Sequence, residues 1–271
     1  MSKILINEEN FPDEFFRAYV RTLPGGDDGV FTEEEIAAIT EINCSHKEIQ
    51  SLVGIEFFSS MTALDCENNR LTTLDVSSCR ELVTLYCSSN NLTSLNLMGC
   101  QKLTELSCLF NAFASLDLPV LTSLRKLVCS YNQLKTLDVS NCPNLQILEV
   151  SANKLQKLDL SKCCKITQLY CDNNEIVALN ISGCMELQDL YCWNNKLQSL
   201  NLSGMTHLLY LICSSNQLVS LNLSECISLK CIACSENPYL RTINIQNTLD
   251  LKKTLLKEFE NCKKNILFIC T

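Results

Sequence analysis

Nineteen cysteines in a chain of 271 residues are the side chains with the most chemistry to offer. A disulfide scaffold, a metal protein or a core lined with buried thiols would each produce such a count. Histidines number only two, His46 and His207, which limits imidazole catalysis and histidine-rich metal sites. Cys231-x-x-Cys234 has the spacing of a redox or zinc half-motif, but no second cysteine pair or nearby histidine completes it. On a strand, residues three apart face opposite sides, so these two thiols do not converge. Cys44 and His46 sit close in sequence without an acid or a nucleophile elbow beside them. No catalytic residue, cofactor or metal-ligand set is assigned, and the chain reads as non-enzymatic.

Composition narrows the classes further. The chain is 46% hydrophobic and 19% charged, with 22 basic and 30 acidic side chains and a net charge of −8. Phosphate contacts need a basic face, so nucleic acid is not an expected partner. No run of 18 apolar residues is present, so no membrane span is expected. The opening Met1-Ser-Lys-Ile-Leu-Ile-Asn-Glu-Glu lacks the apolar core of a signal peptide. As given, the chain reads as cytoplasmic, or as a cell-surface protein if an export signal was removed.

The elements that must position these side chains are set by a repeat. Leu71, Leu92, Phe113, Leu134, Leu155, Ile176, Leu197 and Leu218 recur at intervals of 21 residues without a gap. The unit reads L-x-x-L-[DN]-[LVI]-x-x-[CLM]-x-x-[LI]-x-x-L-x-[CV]-x-x-N-x, with Ile232 the one departure at the second-half Leu. Its most rigid column is Asn69, Asn90, Asn111, Asn132, Asn153, Asn174, Asn195, Asn216 and Asn237. One extra residue near Pro238 shifts the last partial copy, at Leu240, Ile243 and Ile245, and an irregular first turn precedes the array. Leu85 and Cys87, two apart, point to one face of a strand, and Leu74 with Val76 repeats that alternation on the return path. A single unit cannot recover its ordering entropy, so the copies must stack. The Asn amide is expected to satisfy backbone groups of its own turn and of the next rung.

Sorting by repeat position accounts for most of the thiols. Cys44, Cys66, Cys87, Cys108, Cys129, Cys171, Cys192, Cys213 and Cys234 share the second inward site of the front strand. Cys79, Cys100, Cys142, Cys163, Cys184 and Cys226 share the site where the back begins. Val150 stands in the first column and Leu121 and Met205 in the second, which marks both as apolar packing sites. A ladder of disulfides is the sharper alternative, but in-register side chains project in parallel and suit stacking better than the required dihedral. Cys164, Cys231, Cys262 and Cys270 lie outside the columns, and Cys164 and Cys231 are expected near the surface.

The segment Leu82-x-x-Leu85-x-Cys87-x-x-Asn90-x-Leu92 resembles the leucine-rich-repeat signature L-x-x-L-x-[LC]-x-x-N-x-L. The stretch "LTTLDVSSCRELVTLYCSSNNLTSLNL" is similar to the short repeats of internalin-like and surface-antigen-like bacterial proteins. The resemblance covers residues 39–247 and implies a right-handed leucine-rich-repeat solenoid with a parallel front sheet. About ten residues of return path leave no room for a normal helix, so a strand or extended back is expected. Residues 1–38 read as a small helical N-terminal cap and residues 248–271 as a mixed C-terminal cap. In the first cap Phe15, Phe16, Tyr19, Val20 and Leu23 give a helix face, and Thr32 with Glu35 forms a capping box. In the second, Leu249, Leu251, Leu255, Leu256 and Phe259 suggest a helix before a strand near Ile266. Members of this family can carry a calcium loop in the acidic turn of the N-terminal cap. Here Asp28, Thr32 and Glu35 fall at ligand positions, but Pro24 and Gly26 occupy the first two, so a degenerate cap turn is expected.

Binding must use side chains that the repeat leaves free. Outward front positions form three columns, beginning at Thr84, Tyr86 and Ser88 and recurring every 21 residues. Tyr170, Tyr191, Trp193, Tyr210 and Ile212 fall in these columns on three consecutive rungs, bordered by Asp172 and Asp189. Exposed aromatics with a polar rim have the composition of an interaction hot spot, although aromatics also simply suit strand surfaces. The expectation is a recognition or scaffold module that binds a protein through this face, with a carbohydrate-binding or adhesive module as the alternative. The back column Asp117, Asp138 and Asp159 reads as a solvated ladder, and the sequons at Asn91, Asn180, Asn201 and Asn222 as by-products of the repeat.

Overall fold

The computed structural model describes residues 3–246 and the backbone of the strand Leu267–Ile269. It comprises two compact units, Met1–Gln133 and Leu134–Thr271. In the first, the strands Glu41–Asn43, Ala63–Asp65, Thr84–Tyr86, Glu105–Ser107 and Lys126–Val128 pair in parallel in that order. On the return path Thr73–Asp75 pairs in parallel with Ser94–Asn96. In the second unit the front strands are Ile147–Glu149, Gln168–Tyr170, Asp189–Tyr191, Tyr210–Ile212 and Cys231–Ala233, again all parallel. Its back pairs Lys157–Asp159 with Ala178–Asn180, and Ser220–Asn222 with Thr242–Asn244, which also pairs with Leu267–Ile269. Each unit is therefore a parallel-strand solenoid with a strand or extended back. The back is strand on some rungs only; Leu116, Leu137 and Leu200 are buried like their counterparts without strand pairing. Partners opposite one another are 21 residues apart on most rungs. The step is 22 from Ile42 to Leu64, in the irregular first turn, and 22 from Leu221 to Ile243, across the extra residue near Pro238.

The Asn column ties the rungs together, in the opposite direction to the one expected. The Asn90 Nδ2 donates to the carbonyls of Cys87 and Ser88, both at 3.2 Å, and to Cys66 of the preceding rung at 3.0 Å. Its Oδ1 accepts the Leu71 backbone N–H at 3.0 Å. Asn174, Asn195, Asn216 and Asn237 make the same set in the second unit. The amide thus reaches back rather than forward. The reason is that the residue before each Asn turns left-handed, with φ between 52° and 55° from Asn68 to Glu236 along the column. That reversal swings the following Asn side chain inward, where the previous rung's carbonyl is exposed. Glycine occupies this position in none of the copies. An L-residue there costs about 1–2 kcal/mol, which the four bonds of the neighbouring amide offset.

The Asp or Asn at the end of the back segment closes an Asx turn where its bonds are described. Asp159 Oδ1 accepts the Ser161 N–H at 2.9 Å, and Asn180 Oδ1 accepts that of Ser182 at 3.1 Å. Asp159 also accepts from Asn180 Nδ2 at 3.0 Å. Its carboxyl lies below the usual range, first because of the Ser161 backbone bond. The column Asp117, Asp138, Asp159 is thus turn chemistry where bonds are described.

At the N-terminal end the helix Glu14–Val20 is capped by Asp13, whose Oδ1 accepts from Phe16 N at 2.9 Å. The other oxygen, Oδ2, accepts the N–H groups of Gln50 and Ser51, which fastens this helix to the first turn of the array. Thr32 and Glu35 form the reciprocal capping box of the helix Glu33–Ala38. Phe16 and Val20 are buried, but Phe15, expected on the same face, is 40% exposed. With only two helical turns, Phe16 and Val20, four apart, already fill the contact line. The core of this region is instead aromatic. Phe11 packs against Phe16, Phe57 and Phe58, and Phe31 against Phe58 at 6.0 Å. Gly54, at φ 104°, is required here, since a Cβ would lie 2.4 Å from Phe11 Cδ1 and 2.6 Å from the Asn10 carbonyl oxygen. The helix expected around Leu249–Phe259 lies outside the described residues, as do Cys262 and Cys270.

Candidate recognition surface

All seventeen described cysteines are free thiols. Both columns are buried throughout, while Cys164 and Cys231 are exposed, as their repeat positions predict. Burial pushes the Cys44, Cys108 and Cys142 thiols up to about 12 and Cys100 to about 11. A thiol with so high a pKa is a poor nucleophile at neutral pH. The back column has a polar role that its exchange with Leu and Met concealed. Cys100 Sγ approaches the Val76 carbonyl at 3.3 Å, and Cys184 Sγ that of Leu160 at 3.5 Å. Among the described residues no three His, Cys, Asp or Glu side chains are placed to hold a metal ion. In the acidic N-terminal turn, Glu35 is engaged by Thr32, and Asp28 Oδ1 accepts the Val30 N–H.

The outward front columns divide by unit. In the first unit Ser88, Ser107, Val128 and Ser130, expected to be free, are buried. Ser88 and Ser107 hydroxyls bond each other at 2.8 Å, and Lys126 Nζ bonds Glu105 Oε1 at 2.7 Å along the same face. Short side chains between longer register neighbours do not reach solvent. Phe110 and Tyr131, in the left-handed positions at the strand exits, are half exposed and stacked at 4.4 Å.

The second unit carries the aromatic rungs. Register places Tyr170 opposite Tyr191 and Tyr191 opposite Ile212, while Asp189 lies between Gln168 and Tyr210. The Tyr170 and Tyr191 rings stand 5.0 Å apart at 32°. Tyr210 is 39% and Trp193 37% exposed; Tyr170, Tyr191 and Ile212 are half-buried. Both tyrosines of this pair have hydroxyl pKa values raised by burial first and by the Asp189 charge second. Asp172 is held by Ser151 Oγ and Asn173 Nδ2, each at 2.7 Å. Asp189 accepts from Gln168 Nε2 at 2.8 Å through Oδ2. The tyrosines, Asp189, Tyr210 and Ile212 are thus brought together by register. Trp193, beyond the end of its strand, joins no ring pair among the described residues. Cys231, opposite Tyr210, is an exposed neighbour of the group that repeat position alone did not count as part of it.

Parallel front strands stacked every 21 residues through an asparagine column define a leucine-rich-repeat protein. Residues 122–162 match the family model described as leucine rich repeats, two copies. Within that class the chain is similar to bacterial internalins. It is 34% identical to Internalin J of Listeria monocytogenes serotype 4b (strain F2365) over 70 residues, 25% of this chain and 7% of that one. The solved functional domain of InlJ from Listeria monocytogenes, which includes a cysteine ladder, is 26% identical with a TM-score of 0.54. That match covers 91% of this chain and 65% of the InlJ chain. YopM, a leucine-rich effector protein of Yersinia pestis, is 26% identical with a TM-score of 0.54 over 70% of this chain and 61% of its own. The chain thus spans less than two thirds of these relatives. Its two thiol columns are a cysteine ladder. Leucine-rich-repeat proteins of the internalin and YopM type generally act as protein-interaction scaffolds and are typically non-enzymatic. No described helix is long and apolar enough to cross a membrane.

Proposed function

We propose that this chain is a non-enzymatic recognition module that binds a protein partner through the front sheet of its second unit. The contact residues are Tyr170, Asp172, Asp189, Tyr191, Trp193, Tyr210 and Ile212. The tilted Tyr170–Tyr191 ring pair, continued by exposed Tyr210 and Trp193, carries this proposal. Large rigid aromatics contribute binding area at low entropic cost, and a few such anchors dominate most interfaces. In the same proposal residues 1–38 and 248–271 cap an array running from 39 to 247. A carbohydrate-binding or adhesive module is the second reading, because ring faces edged by carboxylates also suit sugar stacking. The test is the double variant Tyr191→Ala/Trp193→Ala, assayed by affinity capture from host and bacterial lysates and on a glycan array. A protein captured by the wild type and lost by the variant is the expected outcome. Retained capture, or loss confined to glycans, refutes the protein-binding proposal.

A further inference from the structure

Charge complementarity on this face favours one chemistry of partner. The five front rungs of the second unit offer fifteen outward positions, from Ile147, Glu149 and Ser151 to Cys231, Ala233 and Ser235. Three hold carboxylates, Glu149, Asp172 and Asp189, and none holds Lys, Arg or His. The described lysines of this unit stand on its turns and back, where Lys196 pairs with Glu175 away from the front strands. Among the described residues Asp189 has one neutral donor, Gln168, and no cation. It lies in register between Gln168 and Tyr210, with the Tyr170–Tyr191 ring pair in the adjacent outward column. A carboxylate beside aromatic faces attracts a cation twice, by direct charge and through the ring quadrupoles. A sugar hydroxyl satisfies the hydrogen bonds of such a site but leaves its charge unbalanced.

We infer that the occupant of this surface is an extended, arginine-bearing segment of the partner protein. This inference rests on the recognition role proposed above. A guanidinium stacks on a tyrosine face while donating two parallel bonds to a carboxylate, which an ammonium cannot do. Rungs repeat at about 4.8 Å and an extended chain rises about 3.3 Å per residue. Two arginines three residues apart therefore span the first and third aromatic rungs. The raised hydroxyl pKa values of Tyr170 and Tyr191, in which the Asp189 charge is the second cause after burial, report the same negative field.

Trp193 is the only tryptophan of the chain, so its fluorescence reads occupancy of this face directly. The probes are acetyl-Gly-Arg-Gly-Gly-Arg-Gly-amide, its counterpart with Glu in place of Arg, and a linear gluco-oligosaccharide. The arginine peptide is expected to bind at least about tenfold tighter than the glutamate one, and less tightly as salt rises. Asp189→Asn keeps the acceptor for Gln168 and should weaken binding about fivefold; Tyr191→Ala should weaken it more. The pair Asp138→Asn/Asp159→Asn, which changes the charge of the back while keeping its Asx-turn acceptors, should have no effect. An equal loss from that pair overturns the inference, because net charge then suffices. Equal binding of both peptides, lost in Tyr191→Ala, overturns the cationic assignment and leaves the recognition surface standing. A response to the oligosaccharide alone overturns both, as does no response to any probe.

Discussion

Replacing Asn174 by Ala removes one amide from the ladder, and the structure says what is left behind. Asn174 Nδ2 donates to the carbonyls of Val150, Cys171 and Asp172, and its Oδ1 accepts from Leu155 N. Three of these backbone groups have a second partner: Val150 O also receives Asn153 Nδ2, Cys171 O Asn195 Nδ2, and Asp172 O the Ala152 N–H. Only Leu155 N has no other described bond, and Asn174 itself is buried. Orphaning a buried backbone group costs about 1–3 kcal/mol, so the loss is centred near about 2 kcal/mol. For a chain of this size that lowers Tm by roughly 5 °C. Thermal and urea unfolding followed by circular dichroism measure it, with Asn91→Ala, an exposed Asn next to the column, as the control expected within about 0.5 kcal/mol. Asn174→Asp should be worse than Ala at neutral pH, because a carboxylate would face three carbonyls. Burial there favours the protonated form, so the penalty should shrink as pH falls toward and below about 4. A loss below about 1 kcal/mol for Asn174→Ala, equal to the control, would mean that the ladder is not what holds the rungs.

The thiol columns give two further outcomes. Alkylation of the native protein at pH 8, mapped by mass spectrometry, should label Cys164 and Cys231 rapidly and the fifteen column thiols only after unfolding; early labelling of Cys108 or Cys184 refutes their burial. Because the column pKa values are raised, to about 12 for Cys108 and Cys142, the neutral thiols favour the fold. That stability is complete below the ordinary thiol value near 8.5 and is lost as pH rises toward about 12, so urea midpoints should fall across this window. Cys171→Val should cost under about 1.5 kcal/mol, since Val150 fills the same site one rung earlier. Asp13→Ala should cost about 1–3 kcal/mol and speed hydrogen exchange at Gln50 and Ser51, whose N–H groups its Oδ2 accepts; unchanged exchange there refutes the clamp.

Period, strand alternation and both thiol columns are legible in the sequence because each is a side-chain pattern repeated in register. The Thr32–Glu35 box is legible for a related reason, since it closes within four residues. The left-handed column is not. Asn, Ser, Phe, Tyr, Ala and Glu all occupy it, and their backbone is set by the amide that follows rather than by their own preference. Nor is the cap core, because Phe11, Phe31 and Phe58 come from three segments with no common period. On the recognition face, the identity and order of the aromatic side chains could be read directly. The burial of Ser107 and Val128 could not, because exposure depends on the length of register neighbours. The engagement of Asp172 by Ser151 and Asn173 was hidden likewise, since it is settled across rungs.

The backward reach of the asparagine makes each 21-residue segment balanced in its hydrogen bonds. Within either unit a rung brings the donor that completes the turn before it and presents the acceptor that the next will use. Duplicating or deleting one whole segment inside a unit therefore creates no orphaned backbone group. An insertion of another length has to be absorbed between the bonded groups, as in the 22-residue first turn, across which Asn69 still reaches Cys44 O and Ile49 N. The extra residue near Pro238 lies just past Asn237, the last of these amides, where no further amide has to be kept in step. Lineages built on this repeat can lengthen or shorten their binding face in whole rungs by unequal recombination, with each intermediate length as well satisfied as the parent.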